Sequence, residues 1–511
     1  MMSVRTLAVA VAAALALPST ALAGPDAEAV RLDDLVAVAV QQSAGLIKAR
    51  ADRTIAQAEA DAAGLDRDWI TTAEVGWRRF VVGEQDRPPP LQLIDERAVT
   101  GSVGVAKKVP TGGQLTAQFG LAQTTQEYDV SVFALDPGAA DDAEFADNAQ
   151  ASATLKFEQP LLRGLGPAAA GPQRRARVAA EGANIKAQLA AEELLRELVT
   201  SYWELGFAAQ ELQARKASLA LANEQYEDTK AARRVGAVPE NALRAVEYEL
   251  AVREESLLRA QLEVEARSLE LRRISGLEVS RRDIVLIPGE PFEADGREVS
   301  IDDALDLALA DNPRLQALLA DKRLADLEVE LARDGAKPQV NLAVAGTLFG
   351  DGATSGEAVG ALGSTGGYEL TANLSFAFEL GASHRGATRA ATERREKVVT
   401  DAKDLRRMIE VEVVQAVHAV TAAQRRTALA EKAMDVARNN LRSEVANFRA
   451  ARTSNFDVLK RQEELVEGQI RKARAIADYH IAVAKLEFLT GTLLDRYGVE
   501  VRARRPTRRD R

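Results

Sequence analysis

The sequence contains no cysteine and only three histidines among its 511 residues. The lack of cysteine excludes disulfide frameworks, thiolate zinc sites, iron–sulfur ligation and cysteine nucleophiles. The histidines, His384, His418 and His480, lie far apart in the sequence and do not have the spacing of metal ligands. A formal net charge of −10 argues against a general nucleic-acid-binding protein. We therefore predict no enzyme activity, no cofactor and no metal site.

Long hydrophobic runs are also missing, because no segment beyond the N-terminus has the roughly 20 apolar residues of a transmembrane helix. At the N-terminus, Arg5 precedes an apolar run from Leu7 to Leu17, and Ala21-Leu22-Ala23 follows. A short basic region, a short apolar core and an A-x-A site are typical of a secretory signal peptide. If this exported chain enters a membrane, it is expected to do so as a closed β-barrel.

Two blocks of the sequence are repeated. Residues 30–77 align without a gap on 299–346, where Asp33-Asp34 matches Asp302-Asp303. Residues 194–276 align in the same way on 409–491. Aligned residues differ in number by 269 in the first block and by 215 in the second. About 54 additional residues therefore lie in the first half, between the two blocks. These residues could add a hairpin, lengthen the external loops or decorate the rim of a barrel.

This internal similarity indicates a tandem duplication, in which each half consists of helices around a β-rich stretch. The first half has its β stretch at about 70–160, and the second has a hairpin at about 338–380. We predict four segments: a signal peptide at 1–23, a first repeat at 24–298, a second repeat at 299–495 and a basic tail at 496–511.

The helices are expected to be long and to pack on one another. Apolar residues recur every three or four positions over about 173–234 and again over about 385–450, with no proline in either segment. Such periodicity with charged flanks favours coiled-coil packing. Helices that return from these two segments are predicted at about 239–275 and 454–490. Shorter helices are predicted at about 45–68, 301–311 and 313–337.

Alternating apolar and polar residues predict the strands. In 368–380, Tyr368, Leu370, Leu374 and Phe376 fall on one face, and the partner strand is 340–348, joined through a glycine-rich loop at 350–367. Further strands are predicted in the first half at 71–77, 99–105, 115–121 and 151–157. This alternation fits a transmembrane barrel, and it also fits a half-buried soluble sheet. Since a barrel needs about eight strands, several chains would have to share one.

The chain resembles the TolC family of outer-membrane efflux proteins over nearly all of the mature sequence. Besides the repeated Asp-Asp pairs, the resemblance is carried by three segments: Phe157-Glu158-Gln159-Pro160-Leu161-Leu162-Arg163-Gly164, the run from Ala450 to Leu459, and Tyr479 to Gly491. It implies a mainly helical fold with a membrane β part: long antiparallel coiled-coil helices form a trimeric α-barrel in the periplasm, below a shared transmembrane β-barrel of 12 strands. The partners implied are outer-membrane lipid, a periplasmic adaptor and an inner-membrane pump.

The resemblance also assigns the two turns between long and returning helices to the periplasmic tip. Residues expected to contact an adaptor are Gly236, Ala237, Val238, Ala451, Arg452, Thr453 and Ser454. Asp457 and Lys460 are expected at the entrance constriction. Asp457 would belong to a ring of three carboxylates, although an ordinary aspartate in the first turn of a helix explains it as well. Lys460, Ala242 and Phe448 replace gate residues of the family, so the family's latch is not expected here.

The function implied is a passive trimeric duct for efflux or secretion, supplied by the pump through the adaptor. The alternative is a periplasmic coiled-coil scaffold or adaptor without a pore. Gly164-Leu165-Gly166 superficially resembles a phosphate-binding loop, but the Lys-Ser/Thr that such a loop requires does not follow. A bend at the end of a strand explains these glycines.

Overall fold

The structure is a computed structural model that describes residues 28–65, 68–83, 92–129, 143–236, 238–279, 284–296, 298–378, 383–450 and 452–499. The predicted signal peptide, Ala237, Ala451 and the tail from residue 500 onward lie outside the described residues. Among the helices within these ranges, none is both long enough and apolar enough to cross a membrane.

Long helices dominate the fold. The two longest are α3 (Gly171–Arg234) and α8 (Ser383–Arg449), and each is followed by a 36-residue helix, α4 (Glu240–Ser275) or α9 (Asn455–Thr490). These bounds agree with the predictions to within about two residues. The shorter helices are α1 (Leu32–Gln42), α2 (Ala44–Leu65), α5 (Ile301–Asp311), α6 (Pro313–Gly335), α7 (Ser355–Ala361) and α10 (Leu493–Arg496).

The described strands form two sheets. A small parallel sheet pairs β1 (Glu28–Val30) with β6 (Leu286–Pro288). The large sheet is antiparallel throughout and has the order β2-β3-β4-β5-β7-β8. Its strands are β2 (Ile70–Val81), β3 (Gln92–Lys108), β4 (Gln114–Asp129), β5 (Ala143–Pro160), β7 (Gln339–Gly352) and β8 (Tyr368–Ala377). All six predicted strands are present, and most are several residues longer than predicted.

The segment at 350–367 differs from its prediction as a loop. Strand β7 continues to Gly352, and α7 follows it. Thr354 caps α7 by accepting a hydrogen bond from the Glu357 backbone N–H, while the Glu357 carboxylate accepts one from the Ala353 N–H at 3.0 Å. The Thr-x-x-Glu spacing is visible in the sequence, and the pair resembles a capping box in which the carboxylate binds the residue before the cap.

The chain divides into two compact units. The helical unit comprises the described residues of Met1–Lys48, Ala190–Asn312 and Ile409–Arg502. The sheet unit comprises Ala49–Leu189 and Pro313–Met408, again where described. Each unit therefore draws residues from both halves of the sequence.

The core of the helical unit consists of the apolar positions that the periodicity predicts. Leu198, Tyr202 and Leu205 of α3 are fully buried, as are Ile409 and Val413 of α8. The Tyr202 hydroxyl donates a hydrogen bond to the Val30 carbonyl, and the Asn312 side chain donates one to the Leu489 carbonyl at 2.8 Å. Burial of these side chains supplies the main stabilisation of the unit.

Candidate functional site

The large sheet has two faces of opposite character, and the register of its ladders shows them directly. One row across the sheet contains Ala73, Val103, Phe119, Ala153, Leu348 and Tyr368. The adjacent row, on the other face, contains Thr72, Gly104, Gln118, Thr154, Thr347 and Glu369. Side chains alternate between the faces along every strand. The sheet is therefore amphipathic across its whole width.

The apolar face is exposed over most of its area. Its largest exposed side chains are Val75, Trp77, Val99, Val103, Phe119, Leu155, Phe157, Val344, Leu348, Tyr368, Leu370, Leu374 and Phe376. Val75 is 85% exposed and Leu370 is 77% exposed. A soluble monomer rarely exposes an apolar patch of this extent, because such surface is stabilised only by lipid or by a partner protein. The half-buried soluble sheet that the sequence left open would need a covering layer over this face.

Charged and aromatic groups mark both ends of the apolar face along β2. At the end where β2 follows α2, Lys107 places its ammonium group 5.0 Å from the Trp69 ring centre. At the other end, the nearly buried Asp95 accepts hydrogen bonds from Arg79 and Arg97. Ten residue steps separate Trp69 from Arg79, about 33 Å along a strand, or about 25 Å in height at a tilt of about 40°. This height matches the apolar band of a transmembrane strand.

Helix α7 rests on small residues at the far end of the apolar face. Ala358 packs on Ala149 and Ala151, and all three are fully buried. A Cβ built on Gly350 would lie 2.1 Å from the Ala358 carbonyl oxygen, so only glycine allows α7 to approach β7 this closely. In the sequence, only the small size of these residues marks this contact.

The polar face carries hydrogen-bonding side chains. The hydroxyls of Thr154 and Thr347 lie 3.1 Å apart and share a hydrogen bond, and the Gln150 amide donates to the Asp351 carboxylate at 3.1 Å. Lys156 forms an ion pair with Glu158 on the same face. Such a face is favourable in contact with water and unfavourable in contact with lipid.

The glycines after β5 form a bend, as predicted. Gly164 and Gly166 have φ of +80° and +65°, and a short 3₁₀ helix, Gly166–Ala170, follows. The Gly164 N–H donates a hydrogen bond of 2.8 Å to the Asp334 carboxylate on α6, and Lys337 binds the same carboxylate. The backbone thus turns from the sheet into α3 at a point held by Asp334.

The predicted tip residues lie at the two turns between long and returning helices. Gly236 ends α3 with φ +74°, and Pro239 precedes α4. In the second turn, the Arg452 N–H donates to the Asn447 carbonyl at 2.9 Å, and Ser454 caps α9. Val238 is half-buried in the first turn, whereas Arg452 in the second is exposed.

Asp457 is bound within its own turn. Its carboxylate accepts hydrogen bonds from the Ser454 hydroxyl at 2.6 Å, the Thr453 hydroxyl at 3.0 Å and the Ser454 N–H at 3.2 Å. These hydrogen bonds, with a further contribution from Lys460, hold the pKa of Asp457 below its usual value. The carboxylate is therefore ionised and forms a capping box with Ser454 at the start of α9. Its place in an entrance ring stays a prediction.

Side chains from α3 and α9 bring the two turns together. The Asn455 amide donates to the Thr229 hydroxyl at 3.3 Å, and the Gln225 amide donates to the Asn455 side-chain oxygen. Further along, Arg253 of α4 is 4% exposed and donates to the Ser218 hydroxyl at 2.9 Å and to Gln462 at 3.4 Å.

Sequence reasoning missed Arg253. The heptad spacing marks Arg253 as a core position in the sequence, because it lies seven residues after the buried Val246 and seven before the buried Ala260. An arginine in this phase of a coiled-coil helix must find polar partners within the core.

No group of three or more metal-ligating side chains is found in the described part of the chain. His418 is exposed, whereas His480 stacks on Trp203 with ring centres 3.6 Å apart. Burial lowers the pKa of His480, so its imidazole is neutral and acts as a packing group.

Residues 304–492 match the outer membrane efflux protein family. This match supports a role in efflux at the outer membrane. No curated protein sequence matches the chain.

Solved structures of outer-membrane channels share the fold. The CmeC outer membrane channel of Campylobacter jejuni is 13% identical with a TM-score of 0.64, over 90% of this chain and 85% of that one. VceC of Vibrio cholerae is 16% identical with a TM-score of 0.64, over 90% and 96% of the two chains. The open state of the MtrE outer membrane channel of Neisseria gonorrhoeae is 13% identical with a TM-score of 0.63, over 91% and 89%.

Proposed function

We propose that this chain forms a homotrimeric duct through the outer membrane, with its large sheets joined into one barrel and its long helices forming a periplasmic tunnel. Transport through the duct is passive. A periplasmic adaptor and an energised inner-membrane pump supply the cargo and the energy, and the chain reaches the periplasm through the signal peptide at 1–23.

The observation that carries this proposal is the amphipathic sheet. Its apolar face is exposed and bounded by Trp69 and Arg79 at the spacing of a membrane, while its polar face suits a water-filled lumen. The six strands of this sheet within the described residues are too few to close a barrel, for which about eight are needed. The sheet of one chain therefore needs the sheets of other copies.

We propose further that the chain arose by duplication, with repeats at 24–298 and 299–495. In support, α1 and α5 both have 11 residues, and α4 and α9 both have 36. Gly276 and Gly491 end the latter pair in the same left-handed conformation. Each glycine lies against the end of the equivalent short helix, Gln42 of α1 or Asp311 of α5.

At the periplasmic tip we propose that the two turns contact the adaptor and that Asp457 and Lys460 lie at the entrance. The hydrogen bonds that join Asn455 to Gln225 and Thr229 support this, because they keep both turns at one end of the helical unit. Asp457 is ionised, as a cation-attracting carboxylate must be. Lys460 reduces the net negative charge that such an entrance would carry.

Planar-bilayer recording of the purified full chain tests the proposal. We expect discrete, stable conductance steps, because a polar lumen admits ions. A periplasmic scaffold would remain in the aqueous phase and give no steps. Recovery of the mature chain as a soluble monomer from the periplasm would refute the proposed duct.

A further inference from the structure

The large sheet ends in two unpaired strands. Among the described residues, β2 pairs with β3 alone and β8 pairs with β7 alone. Nearly every residue of both strands is exposed. Unpaired backbone N–H and C=O groups are strongly unfavourable in lipid, so membrane strands are found in closed barrels. Both edges therefore require a partner strand.

The additional residues of the first half lie inside this sheet. In the alignment of 30–77 on 299–346, β2 corresponds to β7, and β5 leads into α3 as β8 leads into α8. The surplus of the first half is thus the β3–β4 hairpin. It separates β2 from β5, with 12 residue pairs between β2 and β3 and 16 between β4 and β5.

The hairpin also continues both faces without interruption. Val103 and Phe119 extend the apolar face, and Gln118 extends the polar face between Thr72 and Thr154. A hairpin that lay on the rim, outside the barrel wall, would not need alternating apolar and polar side chains at the depth of the apolar band.

We propose that all six strands of each chain enter the barrel, and that β8 of one copy docks against β2 of the next. This rests on the trimer proposed above, and it gives 18 strands in place of the 12 that family resemblance predicts. Successive strands alternate in direction, so β8 runs antiparallel to β2 of its neighbour. The similar lengths of the two strands, 10 and 12 residues, favour their pairing.

The wider barrel has a measurable consequence. With strands about 4.8 Å apart and tilted by about 40°, 12 strands give a backbone radius of about 12 Å, and 18 give about 18 Å. A lumen of the larger size could accommodate bulkier cargo at the outer membrane.

Electron cryo-microscopy of the full chain in lipid nanodiscs tests the strand number. We expect 18 strands and a backbone radius of about 18 Å. A barrel of 12 strands with the β3–β4 hairpin outside it would overturn the proposal while leaving the trimeric duct intact. Six strands from each of a different number of chains would contradict the trimer itself, and with it the number 18.

Tryptophan quenching by brominated lipid provides a second test that does not require a high-resolution map. In a background with Trp69→Phe and Trp77→Phe, Trp203 of the helical unit remains as an internal reference. We expect Phe119→Trp to add emission that brominated lipid quenches by at least half, and the neighbouring Gln118→Trp to add emission that it barely affects. Equal quenching of the two variants would overturn the placement of the hairpin in the barrel wall.

Discussion

Gly491 ends α9 directly against the carbonyl oxygen of Asp311: a Cβ built on Gly491 would lie only 2.4 Å from that oxygen. The glycine has φ +70° and its N–H donates to the Glu487 and Phe488 carbonyls. In the same way, a Cβ built on Gly276 would lie 2.8 Å from the carbonyl oxygen of Gln42. At both places the backbone of a helix end lies directly against the backbone at the end of a short helix.

Substitution of Gly491 should therefore destabilise the helical unit more than substitution of a left-handed glycine that has no close neighbours. Gly498 is the matched control, since it has φ +60° but open space around its Cβ position. We expect Gly498→Ala to cost about 1–2 kcal/mol from conformation alone. Gly491→Ala should cost clearly more, because the backbone must move. Thermal unfolding followed by helical circular dichroism measures both, and equal losses would show that the close contact is unimportant.

Glu192 should make the helical unit less stable as the pH rises. It is 3% exposed on α3, and burial raises its pKa to about 7. Because the folded state binds this proton more tightly, the stabilisation is complete below pH 4.5 and is lost as the pH rises through about 7. The free energy of unfolding of Glu192→Gln, relative to that of wild type, should therefore rise by about 2 kcal/mol between pH 5.5 and 8.5.

The matched control for Glu192→Gln is Glu193→Gln, which removes the same charge from an exposed position on the same helix. Unfolding of the three proteins is compared at both pH values. If the stability of Glu192→Gln relative to wild type were the same at pH 5.5 and pH 8.5, the Glu192 carboxylate would not be the destabilising group.

Asp457 should affect both helix stability and cation block. Asp457→Asn removes the charge at the proposed entrance, so block of the conductance by divalent cations should weaken severalfold. Ser454→Ala keeps that charge but removes the hydroxyl that accepts from the Asp457 N–H at 3.4 Å and donates to the Asp457 carboxylate at 2.6 Å, at a cost of about 1 kcal/mol in stability. Single-channel recording with added divalent cation separates the two effects. Equal block in wild type and Asp457→Asn would mean that Asp457 is only a helix cap.

The two faces of the sheet should differ in their tolerance of charge. Leu155 lies on the apolar face and is 58% exposed, whereas Ser152 lies on the polar face of the same strand. We expect Leu155→Lys to lower stability in lipid by about 2–4 kcal/mol and to reduce membrane assembly. Ser152→Lys should assemble normally. Similar assembly of the two variants would argue against lipid contact at Leu155.

Much of this architecture could be predicted from the sequence. Helix ends were found because local signals mark them, such as Pro313 at the start of α6 and the glycines after α4 and α9. The six strands were found from alternation alone. Helix α7 was missed because its glycine-rich sequence has low helix propensity, and packing of Ala358 on β5 stabilises it instead. The position of the β3–β4 hairpin within the sheet required the pairing of strands distant in sequence.

The proposed duct requires that the polar face of the large sheet lines a water-filled lumen and that the apolar face contacts lipid. Because the chain has no cysteine, Thr347→Cys and Leu348→Cys each introduce a single thiol, on opposite faces of β7. A charged, water-soluble thiosulfonate reagent is then added during single-channel recording. We expect a stepwise change of conductance for Thr347→Cys and none for Leu348→Cys. A change for Leu348→Cys alone, or for neither variant, would contradict the proposed duct.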